Sequence, residues 1–166
     1  MSEINPKKMN MEKKSVDSIM HSRLLIGRAR HALVRVRQRE LAPYHVSPQQ
    51  ASVLTMIDDL GDKANLNELA KRASRSLNTI SIQLTRMEKV GLVKKTRVTP
   101  RSNQLKLELT EKGVNICKYA KKIKSIRAIM SILTEEERLQ LISLLGKIVK
   151  ETEKYEQSLG KTQNTR

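Results

Sequence analysis

Apolar positions recur at helical spacing from Ser15 to about Leu41, where Ile19, Leu24, Leu25, Ala29, Ala32, Leu33 and Val36 are interleaved with Arg23, Arg28, Arg30, Arg35, Arg37 and Arg39. This spacing predicts a long helix, ended by Pro43, whose ring disfavours helical backbone in the residue before it. Ser47 followed by Pro48 reads as an N-cap and a first helical position. Gln49–Asp59 continues as a helix with Ala51, Val53, Leu54 and Ile57 apolar, and Gly61 and Asp62 end it. Leu66–Ala73 reads as a short helix and, after a turn, Leu77–Lys89 as a second, stopped by Gly91. Leu92 and Val93 open a strand, a basic loop follows, and Leu105, Leu107 and Leu109 alternate with Lys106 and Glu108 as a returning strand. Thr110 caps a helix predicted to reach about Ser131. Thr134 and Glu137 form a capping box ahead of a helix carrying Leu139, Leu141, Ile142, Leu144, Leu145, Ile148 and Val149.

These elements predict a mainly α chain of α+β type. Helix, turn, helix and a two-stranded wing, in that order, outline a winged helix-turn-helix DNA-binding domain over residues 47–110. Residues 1–14, with Lys7, Lys8, Lys13 and Lys14, read as a disordered basic tail, and 156–166 as a frayed end. The helix over 15–41 and the helices over 111–155 are too apolar to stand alone around a small wing domain. They are extra core within one subunit or the interface of a two-fold dimer; the dimer is expected, because helix-turn-helix proteins commonly bind paired half-sites as symmetric dimers.

The formal net charge of +16 and a pI of about 10.2 favour a polyanionic partner. The chain has no Phe, no Trp and three Tyr. It has little to stack on single-stranded bases, so double-stranded DNA is the expected polyanion rather than a membrane surface. One cysteine, Cys117, cannot form an intrachain disulfide, and His21, His31 and His45 are too scattered for a metal site. With no signal peptide and no run of apolar residues long enough to span a bilayer, a cytoplasmic protein is expected. There is no Gly-rich phosphate loop, nucleophile elbow or pair of catalytic carboxylates, so neither an enzyme nor a bound cofactor is expected.

A recognition helix presents its first turns to base edges in the major groove. Those turns offer Ser76, Asn78, Thr79, Ser81, Ile82 and Gln83, ahead of Arg86. Asn and Gln can pair bidentately with adenine. Ile80, Leu84 and Met87 fall on the other face and are expected in the core. The wing brings Lys94, Lys95, Arg97, Arg101 and Asn103, with Pro100, Arg101, Ser102 and Asn103 as a turn-forming tip that could carry an arginine into a narrow minor groove. Arg72 and Arg75 complete the DNA-facing set. Residues 61–113 hold twelve basic residues against five acidic, a net +7. That charge is expected to supply affinity by counterion release while the recognition helix supplies sequence choice.

Three segments together resemble the MarR family of transcriptional regulators. Met87-Glu88-Lys89-Val90-Gly91-Leu92-Val93 is similar to the family's Leu-Glu-x-x-Gly-Leu-Val, and Leu109-Thr110-Glu111-Lys112-Gly113 to its Leu-Thr-x-x-Gly. Leu41 to Ala51 resembles the entry into its second helix. The resemblance spans about residues 15–155. It implies a triangular homodimer with interlocking terminal helices and two winged helices in successive major grooves of a pseudo-palindromic operator. Most members repress, and release DNA when a small anionic or phenolic ligand or an oxidant acts. Tyr44 and His45 lie near where family ligands bind and are the candidate ligand-pocket residues. The family's oxidant sensors carry their cysteine near the first helix, so Cys117 is expected to be a buried inert thiol. The wing departs from the family's Asp-x-x-Asp-Arg-Arg: Val98-Thr99-Pro100-Arg101-Ser102-Asn103 has no acidic residue to brace Arg101. The expected function is a sequence-specific dimeric transcriptional regulator, a repressor released by a small molecule; the alternative is a non-specific architectural DNA-binding protein.

Overall fold

The computed structural model describes residues 6–97 and 105–163, with side chains over 16–97 and 105–159. Seven α-helices and one hairpin are described: α1 (Pro6–Leu41), α2 (Pro48–Leu60), α3 (Leu66–Ala73), α4 (Leu77–Lys89), β1 (Val93–Arg97), β2 (Leu105–Leu109), α5 (Glu111–Ala120), α6 (Lys124–Met130) and α7 (Glu135–Gln163). The fold is the mainly helical winged helix-turn-helix that the pattern predicts. β1 and β2 pair antiparallel in the register Val93 to Leu109 through Arg97 to Leu105.

Two compact units divide the chain, one through Ser125 and one from Ile126 onward. The core of the first is aliphatic. Leu41, Leu54, Leu69, Ile80, Leu84, Met87, Leu92, Val93 and Leu107 are buried, joined by Ile116, Cys117 and Ala120. α5 is therefore part of this core, and the expected domain boundary after residue 110 falls inside a packed body.

Local capping accounts for most helix starts. Ser47 Oγ accepts from the Gln50 N–H at 3.2 Å while Gln50 Oε1 accepts from the Ser47 N–H at 2.8 Å, a complete capping box. Asn65 accepts from Glu68 N–H at 3.0 Å and Ser76 from Thr79 N–H at 3.2 Å. In the second unit Thr134 and Glu137 exchange the reciprocal pair, at 3.2 and 2.8 Å, that their spacing predicts.

Three boundaries differ from expectation. α1 begins at Pro6, so helix occupies 6–14, where a disordered tail was expected. Pro6 suits a first helical position, and no Gly or Pro follows before Gly27. α7 continues to Gln163, so helix also replaces most of the expected frayed end. The helix predicted from Thr110 to about Ser131 is broken in two at residues 121–123, where Ile123 takes a left-handed φ of 39°. No local breaker marks the break; it is imposed by α1. The Arg37 guanidinium donates to the Ala120 carbonyl that ends α5. The Glu40 carboxylate accepts from the Lys124 N–H at 3.0 Å, from the Ser125 N–H at 3.4 Å and from the Ser125 hydroxyl at the start of α6. A cation thus meets a helix C-terminus and an anion a helix N-terminus, as the two helix dipoles favour. The Arg37–Glu40 ion pair, 2.8 Å long with side chains only 12% and 9% exposed, joins them. Burial alone would raise the Glu40 pKa, but the Ser125 hydroxyl and Arg37 outweigh it and hold the carboxyl below its usual range.

Candidate nucleic-acid interface

The helix-turn-helix is α3, the turn 74–76 and α4. Ser74 closes α3 in a left-handed conformation (φ 48°) while the Arg75 N–H donates to Ala70 O at 3.0 Å. This turn leaves Arg72 and Arg75 exposed beside the start of α4. Along α4 the period of 3.6 separates two faces. Ile80, Leu84 and Met87 are buried, while Asn78, Thr79, Ile82 and Arg86 stand exposed.

The remaining predicted residues of α4 are less simply placed. Ser76 is the N-cap, its Oγ also 2.8 Å from Thr79 Oγ1, so both hydroxyls already share a hydrogen bond at the helix start. Ser81 is half-buried. Gln83 is half-buried too, and lines a cleft rather than the exposed face. Thr85, which the sequence reading passed over, is exposed on α4. Its place one turn beyond Ser81 and Ile82 is the signal that could have found it.

In the wing, Lys94 and Arg97 are exposed, whereas Lys95 is folded back onto α4 by Glu88, 3.0 Å from its ammonium. Arg101 and Asn103 lie outside the described residues. Of the three leucines expected to alternate inward on β2, only Leu107 is fully buried; Leu109 packs partly on the core and Leu105 is exposed.

The expected ligand-pocket residues Tyr44 and His45 sit side by side in the chain after α1 but differ in setting. Tyr44 stacks on Tyr119, ring centroids 4.0 Å apart and planes tilted by 34°, against the core. His45 is exposed in a left-handed turn (φ 54°) that returns its N–H to Ala42 O. A cleft of about 460 Å³ lies elsewhere, where Arg30, His31 and Val34 of α1 meet Ser52 and Met56 of α2 and Arg75, Ile80 and Gln83 of the helix-turn-helix. No local motif in the sequence connects Arg30 and His31 of α1 with the turn before α4, so this cleft was not foreseen.

Cys117 is buried, and burial, reinforced by the nearby Asp58 charge, pushes its thiol up to about 11. Asp58 and Asp59 are both held by the Lys121 ammonium at 2.6 Å. Since the thiolate is the reactive form, the native protein at neutral pH is expected to be inert to thiol reagents and to label only as it unfolds in denaturant. Stoichiometric labelling of the native protein within minutes would contradict this.

Among the described residues there is no cluster of His, Cys, Asp or Glu that could hold a metal ion, and no helix long and apolar enough to cross a membrane. A comparison with curated proteins finds no match. Solved structures of similar fold include the organohalide-sensing transcriptional regulator RdhR in its ligand-free form, with 25% identity over 82% of this chain and 81% of that one and a TM-score of 0.72. CouR, a transcriptional repressor bound to a 23-mer DNA duplex, shares 26% identity over 75% and 89%, with a TM-score of 0.66. A mutant MarR from E. coli complexed with operator DNA shares 24% over 80% and 96%, with a TM-score of 0.70. Residues 46–99, which run from the start of α2 through α4 and β1, match the model of the MarR family. The match covers the helix-turn-helix and the first strand of the wing, and the fold around them is the one these transcriptional regulators share.

Proposed function

We propose that the protein is a sequence-specific, dimeric DNA-binding transcriptional regulator of the cytoplasm, acting as a repressor that a small molecule releases. The observation that carries this reading is α4. Its polar face of Asn78, Thr79 and Arg86 is exposed and flanked by Arg72 and Arg75, and its opposite face is locked into the core by Ile80, Leu84 and Met87. A helix held from behind and polar in front suits insertion into a major groove. The helix N-terminus at Ser76 and the arginines beside it suit phosphate. Similar folds include a repressor bound to a DNA duplex.

The dimer rests on uncovered apolar surface. On α7, Leu139, Ile142, Leu144, Leu145, Ile148 and Val149 are all exposed, and on α1 so are Val16, Ile19, Met20, Leu24 and Leu25. Exposed apolar faces of this extent, on each helix by itself, mark an interface. A second copy, which brings the same faces and a second α4, fits it best.

Release by a small molecule rests on the cleft. An occupant would touch Arg30 and Val34 of α1 and Ile80 and Gln83 of α4 at once, so it could favour one placement of α4 over another by its differential contacts. The lining of arginine with Val34 and Met56 suits an anion with an apolar body. One relative, RdhR, has been crystallised with 2,4-dichlorophenol bound.

The test is binding to the duplex upstream of the protein's own coding sequence, with random duplex as competitor. A specific regulator is expected to prefer its site by roughly a thousandfold or more. Asn78→Ala is expected to reduce that preference about tenfold while barely changing random-duplex affinity. Equal binding of all duplexes by the wild type would overturn the reading in favour of a non-specific architectural protein, and an equal loss on all duplexes would make Asn78 a phosphate contact.

A further inference from the structure

Glu88 is placed against two local preferences. It lies in the last turn of α4, where the helix dipole disfavours a carboxylate, and on the helix proposed to approach phosphates, where a negative charge repels. Something must offset both, and β1 supplies it. Glu88 Oε1 accepts from the backbone N–H of Lys95 at 3.3 Å, and Oε2 meets the Lys95 ammonium at 3.0 Å. That ammonium also donates to Thr85 Oγ1 at 2.9 Å, and the Thr85 hydroxyl donates to Ser81 O at 3.0 Å. The Lys95 side chain is only 17% exposed, so its charge is committed to α4 rather than offered outward.

The partner strand has a fastening of its own. Lys106, opposite Thr96 in the register, holds Asp62 at 2.8 Å and Glu108 at 3.3 Å. Next to it the Leu107 N–H donates to Ala64 O at 3.0 Å. The base of the wing is therefore tied to α4 on one side and to the segment before α3 on the other.

Resting on the DNA-binding reading above, we infer that Glu88 is a positioning residue: by holding Lys95 at two points it fixes how the wing leaves the recognition helix, and so couples backbone contacts made by the wing to base reading by α4. A Glu88 that is merely a solvated charge makes the opposite prediction, because its removal would relieve repulsion and tighten binding to every duplex alike.

The full-length wild type, Glu88→Ala, Lys95→Met and the double variant separate these. Amide hydrogen exchange over 93–97 and 105–109, without DNA, reads the bracket. Affinity for the upstream duplex and for random duplex reads the coupling. Glu88→Ala is expected to speed β1 exchange about fivefold, the upper range for a partly exposed ion pair, and to lower the specific-to-random ratio by a similar factor. In the Lys95→Met background, where only the hydrogen bond from the Lys95 N–H remains to be lost, its effect on both should be smaller. Unchanged exchange with uniformly tighter binding overturns the inference, as does an effect undiminished in the Lys95→Met background. A wild type indifferent to sequence, with β1 exchange still rising in Glu88→Ala, overturns the sequence-specific reading and the coupling drawn from it, but leaves the bracket standing.

Discussion

Gly113→Ala is expected to lower stability by about 3 kcal/mol and the thermal midpoint by roughly 6–12 °C for a chain of this size. Gly113 is buried in the first turn of α5, and a methyl carbon built there would lie far inside contact distance of the Leu92 carbonyl oxygen. The obstruction is backbone, held on both sides. The Thr110 N–H donates to that same oxygen at 3.3 Å, Thr110 Oγ1 donates to Gly91 O at 2.6 Å, and Gly91 has a φ of 69°. Alanine's advantage over glycine within a helix, about 1 kcal/mol, is too small to offset the clash. Circular dichroism melts at fixed protein concentration check this, and an unchanged midpoint would mean that the Leu92 segment can shift at little cost. The same contact gives Leu109-Thr110-Glu111-Lys112-Gly113 a physical reading. The threonine caps α5 and ties it to the residue that ends α4's turn, and the glycine lets the helix lie against the strand that opens the wing.

Leu144→Asp is expected to leave each chain folded, to convert the dimer to monomer, and to weaken binding to the specific duplex roughly a hundredfold or more. Leu144 is 50% exposed within one chain, so a carboxylate there costs the isolated subunit little. Buried without a partner in an interface, it would cost several kcal/mol. Two linked recognition helices bind with an avidity that either alone lacks, by a factor of about 10²–10⁴, and dissociation forfeits it. Sedimentation and anisotropy should therefore fall together while helicity holds. A folded monomer that keeps full affinity would refute the dimer, and a variant that stays dimeric would move the interface elsewhere.

The elements that the sequence made legible are those whose signals are local. α3 and α4 have the expected limits because Asn65, Ser76 and the apolar spacing of Ile80, Leu84 and Met87 act within a few residues. The hairpin was readable from alternation, and the α7 start from its capping box. What was not legible arises from residues far apart in the chain. The break at 121–123 contains no Gly or Pro, and Arg37 and Glu40 act on it from more than eighty residues away. Within the site, residue type and helical phase separated the buried from the exposed side of α4. They could not show that Gln83 turns to the cleft, that Lys95 is taken by Glu88, or that Tyr44 belongs to Tyr119. Each of these is a choice between equally available partners, decided by tertiary geometry.

The paired tyrosines have an optical consequence. Without tryptophan, the chain absorbs and emits in the near ultraviolet only through Tyr44, Tyr119 and Tyr155. Two of these face each other across the joint between the segment after α1 and α5, while Tyr155 stands exposed on α7. Close, tilted rings in a fixed setting give a circular-dichroism band that a freely rotating ring does not. The free protein thus carries an unlabelled chromophore that reports whether the end of α1 is seated on α5.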